Sequence, residues 1–146
     1  MGQRSYPDLP LLGVSCAIWH DDKVLLVQRG KPPKQDFWAL PGGLVETGEL
    51  CVDAICREVL EETGLTIVDP HFAEMKEIIE PDPDGAVLHH FVLAVYTVIA
   101  DTDEVIAADD AKAAAWVTLP GIDRYNVLPG IEDAVKKCRQ TLEDLR

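Results

Sequence analysis

The sequence predicts an α/β fold in which a mixed sheet is sandwiched between two helices. Three observations carry that expectation. Residues 50–63 and 131–145 repeat apolar positions at three- and four-residue spacing, the period of a helix that buries one face. Between and before them lie shorter extended runs, rich in β-branched residues and punctuated by Asp, Pro and Gly. One run, Val87 to Ile99, is apolar at nearly every position, as in a central strand buried on both faces.

In chain order, Leu12 to His20 alternates as a strand, Asp21-Asp22 turns, and Lys23 to Gln28 returns as its hairpin partner. Gly30 to Asp36 is a loop. Phe37 to Leu40 forms a short strand running into Pro41-Gly42-Gly43, where two glycines allow a backbone to approach a ligand closely. Leu50 to Thr63 is a helix stopped by Gly64, with Val52, Ile55, Cys56 and Val59 as its apolar stripe. Leu65 to Val68 and Phe72 to Ile79 read as extended, separated by Asp69-Pro70, and Glu80 to Gly85 is a loop. In the Val87–Ile99 strand, His89 and His90 point to opposite faces, which excludes a joint metal site. Asp101 to Glu104 turns into a strand from Ala113 to Leu119. The last helix begins near Pro129-Gly130 and packs through Ile131, Val135, Cys138, Leu142 and Leu145.

At 146 residues the chain is expected to form a single domain, 1–146. Such a length buries about two-thirds of the unfolded surface. A net charge of −13 argues against a nucleic-acid partner, which would need a basic stripe. It also requires that an anionic substrate be met by metal and a few placed cations. The four cysteines show neither a C-x-x-C pair nor zinc spacing and read as small core residues in a reducing compartment. No apolar signal core and no run of bilayer-spanning length is present, so no membrane partner is expected and the location is expected to be cytoplasmic.

Glu58, Glu61 and Glu62 share one face of the 50–63 helix by their i, i+3, i+4 spacing. That face flanks the apolar stripe, roughly 110° around from it. Like charges at i,i+4 cost about 0.2–0.5 kcal/mol per pair, and Glu61 and Glu62 also sit at the negative end of the helix dipole. A cluster collecting these costs beside the core, with Arg57 as the nearby counter-charge, suits a hard divalent cation, Mg²⁺ or Mn²⁺, rather than a merely solvated face.

The spacing Gly43, Glu49, Arg57-Glu58-Val59, Glu61-Glu62, Gly64-Leu65 resembles a complete Nudix box. Seven fixed identities and two apolar positions meet by chance at a given start on the order of 10⁻⁹ of the time. The run Trp38-Ala39-Leu40-Pro41-Gly42-Gly43 is similar to the entry to the box in many such enzymes, and the order of elements agrees with the Nudix α/β/α sandwich. One departure is Leu50, where family helices often carry Ser or Thr; the N-cap must come from elsewhere.

The resemblance implies metal-dependent hydrolysis of a diphosphate in a nucleoside diphosphate linked to a second group. Carried over by position, Glu58 and Glu62 are the principal metal ligands, Glu61 ligates directly or through water, and the Gly43 carbonyl adds an oxygen. Glu49 and Arg57 pair so that Arg57 holds the loop on the helix. For the general base, Asp110 resembles the position of an acid in relatives, against the reading of a solvated turn residue. Arg29 is a substrate-facing cation. Trp38, with Phe37, stands between base contact and core packing.

Pro81 follows Leu65 by sixteen residues, an offset that resembles a marker of the ADP-ribose pyrophosphatase branch. An ordinary turn explains the same residues. The expected reaction is therefore ADP-ribose to AMP and ribose 5-phosphate, with nucleoside triphosphate pyrophosphohydrolysis, oxidised nucleotides included, as the alternative. A nucleotide-sensing domain without catalysis is disfavoured because every acidic box position is intact. Small enzymes of this kind are often dimers, so a homodimer is among the expected assemblies.

Overall fold

The computed structural model describes residues 4–145. Its elements run β1 (Leu11–His20), β2 (Lys23–Arg29), β3 (Trp38–Ala39), β4 (Gly42–Leu44), α1 (Cys51–Thr63), β5 (His71–Pro81), β6 (Val87–Ile99), β7 (Ala111–Thr118) and α2 (Ile131–Asp144). A short 3₁₀ turn, Leu119–Arg124, joins β7 to the approach to α2.

The seven strands form one mixed sheet in the order β3-β2-β1-β6-β5, with β4 added beside β1 and β7 beside β2. β1 organises it. Its length runs parallel to β6, with Leu11 opposite Phe91 and Trp19 opposite Ile99. On its other edge the first half pairs with β4 and the last residues pair with β2. That fork lets a short glycine strand sit in the middle of the molecule, directly under the end of α1.

Alternation divides the core between the two faces of the sheet. Val14, Cys16 and Ile18 of β1 meet Ala54, Ile55 and Val59 of α1. Ala17 and Trp19 meet Val135, Cys138 and Leu142 of α2. The sandwich expected from the sequence is thus observed, with differences in detail. In α1, Val52 is largely exposed, and the buried set is Ala54, Ile55, Val59, Glu62 and Thr63. Leu145 lies past the end of α2 and is exposed. No side chain caps Leu50 at the start of α1, whereas Gly64 closes the helix in the left-handed conformation at φ 76°.

Two extended readings are corrected. Leu65 to Val68 forms no strand; Leu65 and Ile67 are buried under α1 without a ladder partner. β6 is half-buried at most positions; on the α1 side only Val98 is buried, with Ala94 and Tyr96 packed against the same cluster. Its two histidines do face opposite ways, His89 being buried and His90 partly exposed. All four cysteines are free thiols. Among the described residues, no helix is long and apolar enough to cross a membrane.

Candidate active site

The loop between β4 and α1 is fastened by one guanidinium. Arg57 donates from Nε to Glu49 Oε2 at 2.8 Å and from Nη2 to Glu49 Oε1 at 2.9 Å, a bidentate pair. Nη2 also reaches the Leu44 carbonyl at 3.2 Å, so the same side chain ties β4 to the helix. Glu49 in turn accepts the Glu46 amide at 3.0 Å. Those two hydrogen bonds, the Arg57 one foremost, hold its carboxyl down to about 2. The pairing expected of Glu49 and Arg57 is present.

The remaining donor, Nη1, contacts Glu58 Oε1 at 2.9 Å and both Glu61 oxygens at 3.4 Å. Here the three helix glutamates part company. Glu61 turns toward Arg57 with 42% of its side chain exposed and does not line the cleft. Glu58 shares the Arg57 contact but lies against β4, and it lines the cleft together with Glu62. Among the described residues no three acidic, histidine or cysteine side chains converge as a ready-made metal cage.

β4 supplies the floor. A Cβ on Gly43 would stand 2.4–2.7 Å from the Glu58 carboxylate, so a side chain there would push that acid out of its present place. The Gly43 carbonyl is turned toward β1: Val45 N–H donates to Leu12 and Cys16 N–H to Pro41, which makes Gly43 and Val14 the bonded pair between them. The sequence expectation that this carbonyl faces the metal site is corrected accordingly. Gly42, one residue earlier, presents its peptide groups on the opposite side, where its amide favours the ionised Glu62 carboxylate.

Glu62 is only 6% exposed. Burial foremost, then the charge of neighbouring Glu58, pushes its carboxyl up to about 8. Glu58 is raised by burial as well, against the opposing pull of Arg57. A helix end also leaves carbonyls to satisfy, and residues 106 and 108 do so: Ile106 N–H donates to Thr63 and Ala108 N–H to Glu62. This docking carries the chain on to Asp110 at the edge of the same cleft.

The cleft has two adjoining compartments. One, about 320 Å³, is lined by Glu58, Glu62, Asp110, Arg29, Lys31 and Arg4 over the Gly42-Gly43 floor. Asp110 pairs with Lys31 at 2.8 Å, and Arg29 donates from Nε to the Pro33 carbonyl at 2.9 Å. The second, about 410 Å³, has mostly apolar walls from Ile78, Phe91, Leu93, Leu128 and Ile131, with Glu80, His89, Lys34 and Lys76 among its polar groups. Arg4, Arg29, Gly42 and Gly43 border both compartments.

Of the residues singled out from sequence, Glu58, Glu62, Gly43, Asp110 and Arg29 are therefore gathered at one cavity. Three are not. Trp38 packs edge-on against Tyr125 at 5.0 Å and belongs to the α2-side core, which favours the packing reading. Phe37 and Pro81 border neither compartment, and Pro81 closes β5 in an exposed position. Arg4 and the apolar walls went unanticipated: Arg4 lies in a short aperiodic segment, and the wall residues come from β5, β6 and the approach to α2.

The residues fit a hard cation: two carboxylates, one of them buried, beside a glycine backbone that lies close against Glu58. Comparison with known proteins agrees with this site. The model of the NUDIX domain matches residues 9–138. The chain is 34% identical over 115 residues to an ADP-ribose pyrophosphatase of Methanocaldococcus jannaschii, covering 79% of this chain and 66% of that protein. It is 31% identical over 118 residues to the uncharacterized Nudix hydrolase YvcI of Bacillus subtilis, covering 80% and 71% respectively. Among solved structures, a MutT NUDIX hydrolase from Burkholderia pseudomallei superimposes with a TM-score of 0.78 at 26% identity, over 89% of this chain and 98% of that one. With the box geometry, the sheet order and these likenesses in agreement, the chain belongs to the Nudix hydrolase family.

Proposed function

We propose that the protein hydrolyses the diphosphate of a nucleoside diphosphate linked to a second group, and that ADP-ribose, cleaved to AMP and ribose 5-phosphate, is its substrate. The observation that carries this reading is the paired cleft, a charged compartment joined to a larger apolar one. A diphosphate flanked by two organic groups needs both: acids and cations at the phosphates, apolar walls for a base or ribose. The likeness to the ADP-ribose pyrophosphatase of Methanocaldococcus jannaschii supports it. Pro81, exposed and off the cleft, adds only its resemblance in spacing.

Nudix hydrolases generally use divalent ions, and in this chain Glu58, Glu62 and the outward-facing Gly42 carbonyl would hold one. Glu61, exposed and on the same helix face, supplies a further carboxylate once it leaves Arg57. Mg²⁺ or Mn²⁺ bound there would neutralise phosphate charge, activate water and align the attacking and leaving oxygens. The protein residues do the rest. Arg29 meets a phosphate, Asp110 accepts a proton from water at the cleft edge, and Arg57 keeps β4 and the box loop fixed beneath them. The nucleoside base enters the apolar compartment against Phe91 and Leu93, not against Phe37 or Trp38.

The test is kcat/KM for ADP-ribose beside dATP, dGTP and a dinucleotide, with Mg²⁺ or Mn²⁺. ADP-ribose is expected to lead. A triphosphate that wins by about tenfold, some 1.4 kcal/mol in transition-state binding, reverses the substrate assignment and leaves the hydrolase reading standing.

A further inference from the structure

The segment ahead of β1 reaches the cleft by a route that the box does not explain. Tyr6 N–H donates to the Leu88 carbonyl at 2.8 Å, and its hydroxyl donates to Asp82 Oδ2 at 2.8 Å. Asp82 is itself fixed within the β5–β6 turn. Its Oδ1 accepts the amides of Asp84 and Ala86, each at 2.9 Å, and its own N–H donates to Ala86 at 2.7 Å. Tyr6 adopts φ 51°, a left-handed conformation unfavourable for a bulky side chain, so the attachment holds the backbone in a shape it would not take freely. Two residues earlier, Arg4 borders both compartments of the cleft.

Charge placement gives Arg4 its meaning. The chain carries a net −13, yet five of its 13 Lys and Arg residues, Arg4, Arg29, Lys31, Lys34 and Lys76, line the two compartments. Four of these have partners: Lys31 pairs with Asp110 and Lys34 with Glu80, while Arg29 and Lys76 donate to the carbonyls of Pro33 and Gly130. Among the described residues no carboxylate lies within ion-pair distance of Arg4. Its charge instead acts against that of Arg29 in the same cavity. Glu62 and Asp110 offset the charge of Arg29 in this space, whereas Arg4 has no carboxylate of its own to pair with among the described residues, and a phosphate entering there would supply the anion.

We infer that Arg4 is a substrate-binding residue that contacts the phosphates at the junction of the compartments, and that Tyr6 is a positioning residue holding it there through Asp82. This rests on the cleft being a diphosphate site. It also assigns the Pro81–Gly85 turn a role: the turn touches no substrate and anchors the strap that does.

The experiment compares wild type with Arg4→Ala, Arg4→Lys, Tyr6→Phe and the Arg4→Ala/Tyr6→Phe double variant, by kcat and KM for ADP-ribose. Loss of one charge-assisted contact should raise KM about tenfold or more in Arg4→Ala, with part restored in Arg4→Lys. Tyr6→Phe should raise KM by a smaller factor, and in the double variant should add nothing to Arg4→Ala, because Tyr6 acts only through Arg4. KM within twofold of wild type in Arg4→Ala, or an undiminished Tyr6→Phe effect in its background, overturns the assignment. Calorimetric binding of inorganic pyrophosphate with Mg²⁺ to wild type and Arg4→Ala separates the two readings. Should wild type turn over no diphosphate substrate, the proposed function fails. Arg4 is then judged by whether its loss weakens pyrophosphate binding about tenfold, and an unchanged affinity rejects it.

Discussion

Arg57 and Glu49 are joined by two parallel hydrogen bonds of 2.8 and 2.9 Å, and through the same guanidinium the box loop, β4 and the catalytic helix become one rigid piece. Lysine cannot reproduce that fork. Arg57→Lys is expected to cut kcat/KM by about tenfold or more, by loosening the floor beneath Glu58. Steady-state kinetics beside a thermal melt checks it: unchanged kinetics would show that the loop holds its place without the pair.

Glu49 also carries a pH signature. Its folded carboxyl sits at about 2, below the ordinary 4.5, so its stabilisation is fully present above the ordinary value and fades as pH falls through about 2. Glu49→Gln should therefore be less stable than wild type at pH 7, with the gap closing steadily below pH about 4.5. Denaturant midpoints at pH 7, 4 and 3 measure this; a gap independent of pH would mean that the glutamine loses packing rather than charge.

Glu62 has the opposite sign. Its folded carboxyl is raised to about 8, so burying it is harmless where it is protonated in both states and becomes costly as pH rises through about 8. With metal chelated, wild type should lose stability between pH about 5 and 9, and Glu62→Gln should lose much less over that range. Equal pH slopes for the two proteins would contradict the placement of a buried, charge-crowded acid at this position.

The three glutamates of the box should separate in mutagenesis. Glu62→Gln should lower turnover at least about 10²-fold, in line with the loss of other positioned electrostatic groups, while the fold survives. Glu61→Gln, removing an exposed side chain held by Arg57, should cost less than Glu58→Gln or Glu62→Gln. If Glu61→Gln proves the most damaging of the three, the division of labour drawn from their orientation is wrong.

The backbone has its own test. Gly43→Ala would drive a methyl into the Glu58 carboxylate, since its Cβ would fall at 2.4–2.7 Å. The carboxylate is the far end of a flexible side chain and can swing aside, so stability should change little while turnover falls because Glu58 must move. A Gly43→Ala enzyme with wild-type kcat/KM would remove the glycine from the account.

Much of this was legible in the residues because it is local. The helix end at Gly64 and the first hairpin follow from caps and periods, the Arg57–Glu49 pair from the resemblance of the box, and they stand where expected. What required the fold was non-local. Nothing in the spacing says that β4 pairs with β1, which turns the Gly43 carbonyl away and the Gly42 amide toward Glu62. Leu65 and Ile67 alternate like a strand, yet they are buried without one because the 105–108 segment occupies the helix end instead. Trp38 reads equally as wall or core until Tyr125, 87 residues later, meets its ring. Arg4 offers no pattern at all, since its position depends on a hydrogen bond between residues 76 apart.

The central claim, that Glu58 and Glu62 form a divalent-cation site, is tested most directly by thermal melting with millimolar Mg²⁺ or Mn²⁺ against chelator. Ions that bind the folded acids and not the unfolded chain should stabilise wild type by about 2.7 kcal/mol at roughly 100 times Kd for one site. The melting temperature should rise accordingly, and the rise should disappear in Glu62→Gln. A wild-type melting temperature unmoved by either ion, or a shift that persists undiminished in Glu62→Gln, would contradict it.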